Sequence, residues 1–325
     1  MKVLLERSLR ALPVLLVMAM LAFIACSDDD SEVASPSPSA TVASTPAPTN
    51  PTTVEFDVTI VGTDGDELTF DAPPERIVAL APSFTEIFCA VGACGALAAV
   101  DENSDFPAEV ESITKLSGFS PSVEGIVASE PDLVVISFDP GGLKDALEGL
   151  GIPVLFLDAP TSVAGVYDQI GVLGEVVGRD SEAAEVVLEM LLRVDAVTAL
   201  LPDEGGPSIF HELDSTLFSA GPGSFIADVY DILLADNIAS ATGSPFPQMS
   251  NEAIIDANPE VIILADEGLG ETAESVAARP GWDVISAVQT GRVHGIDPDL
   301  ISRPGPRIVE ALEELARLLY PEVFE

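Results

Sequence analysis

Five residues have side chains suited to holding a flat organic ligand. Phe106, Phe119 and Phe246 each lie in a loop beside Pro, Ser or Gly rather than within an apolar-periodic segment. Loop aromatics form walls for a flat ligand, although such residues also close loops onto a core. Asp299 and Arg303 fall between a predicted strand and the last predicted helix, and Arg303 either pairs with Asp299 or points toward a ligand. These residues predict a site with apolar walls and two polar contacts.

Two glutamates occupy equivalent positions in an internal repeat. Ser122 and Glu124 begin one copy, in which Pro131 precedes an apolar strand, and Ser250 and Glu252 begin the other in the same order. In each copy the Ser is a predicted helix N-cap and the Glu lies in the first turn. A carboxylate there complements the helix dipole, which explains either Glu alone. Their matched placement in two halves of the chain favours a second explanation, a paired docking role on a partner protein.

The chain lacks the motifs of the common α/β enzymes. It contains no Gly-x-x-x-x-Gly-Lys phosphate loop, no Gly-x-Gly-x-x-Gly after a first strand and no Gly-x-Ser-x-Gly nucleophile elbow. His211 and His294 are its two histidines, and neither belongs to a helical zinc-binding pair. The alternative of an exported hydrolase would need a Ser, a His and a carboxylate acting together. We therefore predict no catalytic residue, no cofactor and no metal site.

Two cysteines are close enough in sequence to form a bridge. Cys89 and Cys94 are five residues apart with Gly92 between them, and a turn at Gly92 would bring the two thiols together in an oxidising compartment. The alternative is that both are small buried hydrophobic residues. The sequence leaves both alternatives open.

The N-terminal segment predicts export and a membrane anchor. The apolar run 11–25 follows a basic segment and is too short to cross a bilayer as a helix, which is typical of an export signal. Residues 23–26 resemble a bacterial lipobox, in which the signal is cleaved before a lipidated Cys. We therefore predict a signal peptide over 1–25, a lipidated Cys26, and a Pro/Ser/Thr-rich tether to residue 53. An ordinary secretory signal with an incidental Cys is the alternative.

Composition limits the partners that the chain can have. Its 325 residues include 54 Asp+Glu against 13 Lys+Arg, giving a formal net charge of −41, and 47% of them are hydrophobic. The hydrophobic fraction excludes a disordered acidic tail. The net charge excludes nucleic acid as a main partner, because it repels phosphate groups. Contact with a membrane is then expected through the lipid anchor alone.

Beyond the tether, short apolar strands alternate with helices in two successive series. Continuous apolar strands between helices predict parallel sheets covered on both faces, an α/β fold. The first series fills 54–178 and the second fills 203–325, so we predict an N-terminal and a C-terminal α/β lobe. The segment 179–202 between them has a helical pattern and predicts one long connecting helix.

Four ordered motifs resemble those of the helical-backbone substrate-binding proteins of ABC importers, which carry cobalamin, haem or ferric siderophores. The motifs are 76–86 (RIVALAPSFTE), 104–107 (SDFP), the two Glu-to-Pro repeats, and 303–312 (RPGPRIVEAL). The resemblance covers about residues 54–322. It implies two Rossmann-like α/β lobes joined by one long backbone helix, with the ligand held in the cleft between the lobes.

Within that family the sequence is most similar to the cobalamin binders. Phe246 falls in a segment where that group places an aromatic residue against the corrin. Asp299 and Arg303 match a cleft-facing pair four residues apart. Phe106 and Phe119 lie in or beside further segments that supply aromatic residues to the cleft. The resemblance therefore implies that all five bind ligand.

The same resemblance implies the partners. Glu124 and Glu252 match two lobe-tip carboxylates that the family docks on Arg pockets of a permease dimer. The implied function is a monomeric receptor, anchored to the outer face of the cell membrane through Cys26 or free in the periplasm. It would capture cobalamin for the permease and its ATPase subunits. A ferric siderophore or haem is the alternative ligand of the same architecture.

Overall fold

The structure is a computed structural model and describes residues 56–203, 205–266, 268 and 270–324. The predicted signal peptide, Cys26 and the tether lie outside these residues. The strands are β1 Val58–Val61, β2 Glu67–Phe70, β3 Ile77–Ala79, β4 Leu97–Asp101, β5 Thr114–Leu116, β6 Leu133–Ile136, β7 Val154–Phe156, β8 Ser208–Glu212, β9 Asp236–Asn237, β10 Val261–Leu264 and β11 Val293–Gly295. The α-helices are α1 Pro82–Ala90, α2 Val123–Val127, α3 Leu143–Glu148, α4 Val163–Val176, α5 Asp180–Thr198, α6 Phe225–Ile232, α7 Asn251–Ala257, α8 Ala273–Ala277, α9 Ser286–Thr290, α10 Pro298–Ile301 and α11 Ile308–Leu319. None of the helices in these residues is both long and apolar enough to cross a membrane.

The first sheet is parallel and has the strand order β5-β4-β3-β6-β7. Every residue of β3 and β6 is buried, as expected for strands that are covered by helices on both faces. The hairpin β1–β2 precedes this sheet and pairs antiparallel, with Val58 opposite Phe70. The continuous apolar runs of the sequence therefore predicted β3, β4, β6 and β7, whereas the short and largely exposed strand β5 was not predicted.

The second sheet is also parallel and has the order β11-β10-β8-β9. Its strand β10 is fully buried and lies between two neighbours, as β6 does in the first sheet. The helices α2 and α7, which begin at the two repeated Ser-x-Glu segments, lead directly into β6 and β10. The protein is thus a two-lobe α/β fold in which the repeated segments supply matching interior strands.

Two long helices connect the lobes along the chain. Gly178, with a φ of +64°, separates α4 from α5, since a left-handed residue ends a helix and Gly adopts it without strain. Helix α5 has 19 residues and is about 28 Å long at 1.5 Å per residue. It lies within the segment 179–202 that predicted a connecting helix, while the exact lobe boundaries stay a prediction.

One hydrophobic core runs through both lobes. A single cluster of buried side chains includes Ile77 and Val135 of the first sheet, Ile209 and Val261 of the second, and Leu312 of α11. The two lobes are therefore joined by shared packing and not by a flexible linker alone.

Candidate ligand cleft

The candidate site lies beyond the carboxyl ends of the strands, where open parallel α/β sheets bind their ligands. A cavity of about 220 Å³ is lined by the segment 81–84 after β3, Ser137 after β6, the segment 159–160 after β7, Gln169 of α4, and 302–304 before α11. A second cavity of about 460 Å³ lies between Glu102, Asn103 and Asp105 after β4 and Pro298, Asp299, Ser302 and Arg303. Ser302 and Arg303 line both cavities, so the two cavities lie next to each other at this segment.

The Arg303 guanidinium is held by carboxylates from both lobes. It lies 2.6 Å from Asp299 and 2.6 Å from Asp105, and 3.5 Å from Glu86. It also donates to the backbone carbonyl of Asn103 at 3.0 Å. The hydrogen bond from Arg303 lowers the pKa of Asp105. The sequence left open whether Arg303 pairs with Asp299 or points toward a ligand. In the structure, Arg303 forms the ion pair with Asp299.

Phe106 lies apart from the two cavities that Arg303 lines. The guanidinium of Arg307 stands 4.2 Å above its ring, and Phe106 lines two other cavities, one of them together with Ala90 of α1 and Met190 of α5. Arg307 in turn makes two hydrogen bonds to the buried Glu86, at 2.6 and 3.0 Å. Phe106 therefore packs on Arg307 and lines neither of the two cavities at Arg303, and its role in ligand binding stays a prediction.

Like Phe106, the other two predicted aromatics are exposed, and Phe119 has an aromatic neighbour. Phe119 is 79% exposed and stacks on Phe138, with ring centroids 6.0 Å apart. Phe246 is 51% exposed, and its loop pairs with the segment of Phe218, which is also exposed. Phe119 follows β5, Phe138 follows β6 and Phe218 follows β8. Sequence reasoning missed Phe138, although its place two residues after a buried strand and two residues before a Pro-Gly-Gly segment was a usable signal.

The two repeated glutamates lie at equivalent, exposed helix starts. The hydroxyl of Ser122 accepts a hydrogen bond from the backbone N–H of Gly125 at 3.2 Å, and that of Ser250 accepts from Ala253 at 3.1 Å. Glu124 and Glu252 are both solvent-exposed in the first turn. The backbone N–H of Glu124 and the hydroxyl of Ser122 hold the pKa of Glu124 below its usual value. Each lobe thus presents one exposed carboxylate at an equivalent helix start.

Cys89 and Cys94 are bonded as a disulfide in the structure, with their Cα atoms 4.1 Å apart. Gly92 has a φ of +79° and turns the chain after α1, a conformation that Gly adopts more readily than other residues. The bridge was one of the two alternatives that the sequence left open.

The buried polar residues of the second lobe are sealed from solvent. His211 is completely buried, its Nδ1 lies 2.7 Å from the Tyr230 hydroxyl, and burial lowers its pKa to about 3. Glu212 is buried beside it and makes two hydrogen bonds with Arg279, at 2.5 and 2.6 Å. Burial, followed by the charge of Glu212, raises the pKa of Asp266 to about 6. His211 is therefore a buried, neutral residue that lines neither cavity at Arg303.

Comparison with known proteins agrees with this architecture. The model of the periplasmic binding protein family matches residues 77–300. The uncharacterized ABC transporter substrate-binding lipoprotein YvrC of Bacillus subtilis is 33% identical, over 83% of this chain and 88% of the relative. A cobalamin-binding protein of Halobacterium salinarum is 30% identical, over 82% of this chain and 74% of the relative.

A solved structure shares the fold across nearly its whole length. It is described as a possible iron-binding (periplasmic solute-binding) protein from Staphylococcus epidermidis. It is 28% identical with a TM-score of 0.66, and the match covers 76% of this chain and 99% of that chain.

Proposed function

This chain belongs to the periplasmic binding protein family, whose members bind solutes and do not catalyse reactions, and on that premise we propose that it captures cobalamin outside the cytoplasm for an ABC importer. The observation that carries the proposal is the set of exposed rings beyond the strand ends: the stacked pair Phe119 and Phe138 in one lobe, and Phe218 and Phe246, which lie on paired segments, in the other. Exposed aromatic clusters on a folded protein mark binding surfaces. Rings on both lobes suit the two faces of a flat macrocycle.

The charge of the cleft favours cobalamin over haem. Arg303 is the cation that lines both cavities, and it already faces Asp105, Asp299 and Glu86. Haem carries carboxylates at its edge. A haem carboxylate that entered this region would be repelled by the three protein carboxylates that already surround Arg303. Cobalamin carries neutral primary amides at its edge and avoids that repulsion. Among the relatives, the Halobacterium salinarum protein is named for cobalamin and the Staphylococcus epidermidis protein for iron.

We expect cyanocobalamin to bind with a submicromolar dissociation constant, which corresponds to roughly −8 kcal/mol or better. The physical reason is burial of the ring faces against the apolar walls. Isothermal titration calorimetry of the apo-protein with cyanocobalamin, haem and a ferric hydroxamate would measure it. Tight binding of haem or the ferric chelate without any heat from cyanocobalamin would overturn the choice of ligand and leave the family assignment intact.

Cys26 is the proposed anchor, and the support is the lipobox-like segment 23–26 together with a relative that is named a lipoprotein. We expect Cys26→Ser to move the protein from the detergent phase to the aqueous phase of a phase-separation assay. Two acyl chains give stable membrane attachment, and a protein without them is not held at the membrane. Immunoblots of both phases would measure the distribution. Equal partitioning of the variant and the wild type would refute the anchor.

A further inference from the structure

Asp266 has a buried carboxyl group that the described part of the chain does not pair. It lies two residues beyond the end of β10 and is 1% exposed. Neither of its side-chain oxygens has a hydrogen-bond partner among the described residues. Burial without hydrogen-bond donors strongly disfavours a carboxylate ion, and a group in that position keeps its proton instead.

The strand register places a second buried acid beside Asp266. Leu264 of β10 lies opposite Glu212 of β8, and the backbone N–H of Ala265 donates to the carbonyl of Glu212. Residues two apart along a strand point to the same face, so Asp266 follows Leu264 on the face that Glu212 also occupies. Glu212 is completely buried. Two acids therefore share one enclosed side of the second sheet.

One guanidinium group serves these acids. Arg279 makes two hydrogen bonds to Glu212, at 2.5 and 2.6 Å, and one to Glu271, at 2.7 Å. Burial raises the pKa of Glu212, and the charges of Glu271 and Asp214 act in the same direction. The charged groups that act on Asp266 are Glu212, Glu271 and Arg279. The cation is thus already shared between two acids, and Asp266 receives no bond from it.

We propose that Asp266 is a neutral carboxylic acid in the folded protein and that its ionisation is a pH-sensitive switch acting on α8. A new negative charge in this space competes with Glu271 for Arg279, because Glu212 is held by two bonds and Glu271 by one. Glu271 also accepts a hydrogen bond from the Ser275 hydroxyl, at 2.9 Å, in the first turn of α8. Loss of its cation therefore loosens the start of α8. The switch does not depend on which ligand the protein carries.

The pH range of the switch follows from the folded and unfolded states. Burial, followed by the charge of Glu212, raises the pKa of Asp266 from 3.8 to about 6. Below about pH 4 both states carry the proton, and above about pH 7 neither does. Between these limits the folded state holds a proton that the unfolded state has lost, so the stability that the neutral acid contributes is lost as the pH rises through 6.

The test compares Asp266→Asn, which has the shape of the neutral acid and cannot ionise, with the matched control Asp283→Asn. Asp283 belongs to the same lobe but is exposed. Urea titrations from about pH 5 to pH 8 give the equilibrium constant of unfolding for each protein. Because other groups titrate in the same range, the ratio of variant to wild type is the quantity to follow. For Asp266→Asn this ratio is expected to change about tenfold, with the variant gaining relative stability toward pH 8, while for Asp283→Asn it stays within about twofold.

Hydrogen exchange tests the effect on α8. The protection factors of the backbone amides of 273–279 in wild type, corrected for intrinsic exchange, are expected to fall between about pH 5 and pH 8 and to stay constant in Asp266→Asn. Unchanged protection of wild type over this range would overturn the switch. A stability ratio for Asp266→Asn that is the same at every pH would show that Asp266 is ionised and paired throughout, which also overturns it.

Infrared absorption keeps the proposal testable if Asp266→Asn does not fold. Folded wild type is expected to show the C=O band of a protonated carboxyl group at about pH 5, and the band should decrease with a midpoint near pH 6. Wild type without such a band at about pH 5 would contradict a neutral Asp266.

Discussion

Replacing Glu86 with alanine is expected to lower the free energy of unfolding by about 3–5 kcal/mol, the usual cost of removing one partner from a buried ion pair. The side chain of Glu86 is 2% exposed and lies between Arg307, at 2.6 Å, and Arg303, at 3.5 Å. Glu86→Ala leaves two largely buried guanidinium groups without this carboxylate. For a protein of this size the corresponding fall in melting temperature is about 10 °C. Urea titration and scanning calorimetry of the apo-protein would measure both quantities.

Asp105→Ala is the matched control for this experiment. Asp105 also pairs with Arg303, at 2.6 Å, but its side chain is 59% exposed. Solvent screens exposed pairs, so its loss is expected to cost less than about 1 kcal/mol. Similar small losses for Glu86→Ala and Asp105→Ala would show that burial of Glu86 does not carry the predicted energy.

Reversing both repeated glutamates, Glu124→Lys with Glu252→Lys, is expected to abolish transport. We propose that these carboxylates dock on Arg pockets of the two halves of a permease dimer. They lie at equivalent helix starts of two separate lobes, and both are exposed. A partner with two-fold symmetry can engage both at once, and each contact then strengthens the other through effective concentration. A Lys at either position would face a like charge, so each single reversal should also weaken the complex strongly.

The measurements are pull-down of the permease complex and uptake of labelled cobalamin, with calorimetry to check that ligand affinity stays near wild type. Glu274→Lys is the control, because Glu274 is also exposed in the first turn of a helix, α8, but lies outside the repeat. It should transport normally. A double reversal that assembles and imports at the normal rate would mean that Glu124 and Glu252 serve only the helix dipoles.

Patterns within short segments predicted most of the fold. Continuous apolar runs identified β6 and β10, and Ser122 and Ser250 were recognised as helix caps because capping involves residues only three apart in sequence. The connecting helix α5 followed from the helical pattern of 179–202. Local geometry decides each of these features.

The contacts of the site could not be predicted in the same way. Phe106 was predicted to line the ligand site, and its contact with Arg307 had no sequence signature, because Arg307 is about 200 residues away and is brought there by the packing of both lobes. The hydrogen bond between Gln169 and the Asp158 carbonyl has no sequence signature, because the sequence alone does not show which polar side chains of α4 face the strand ends. Ligand pockets depend on such long-range placement.

The link from Glu86 to Arg303 and Arg307 also fixes an order of events during synthesis. The carboxylate lies in α1, and its two partners follow it by 217 and 221 residues. A nascent chain therefore carries Glu86 without its cations until nearly the whole polypeptide has been made. An unpaired carboxylate disfavours burial, so α1 is expected to pack fully on the first sheet only when the segment leading into α11 is present. The first lobe would then complete its core late, although most of its residues are synthesised early.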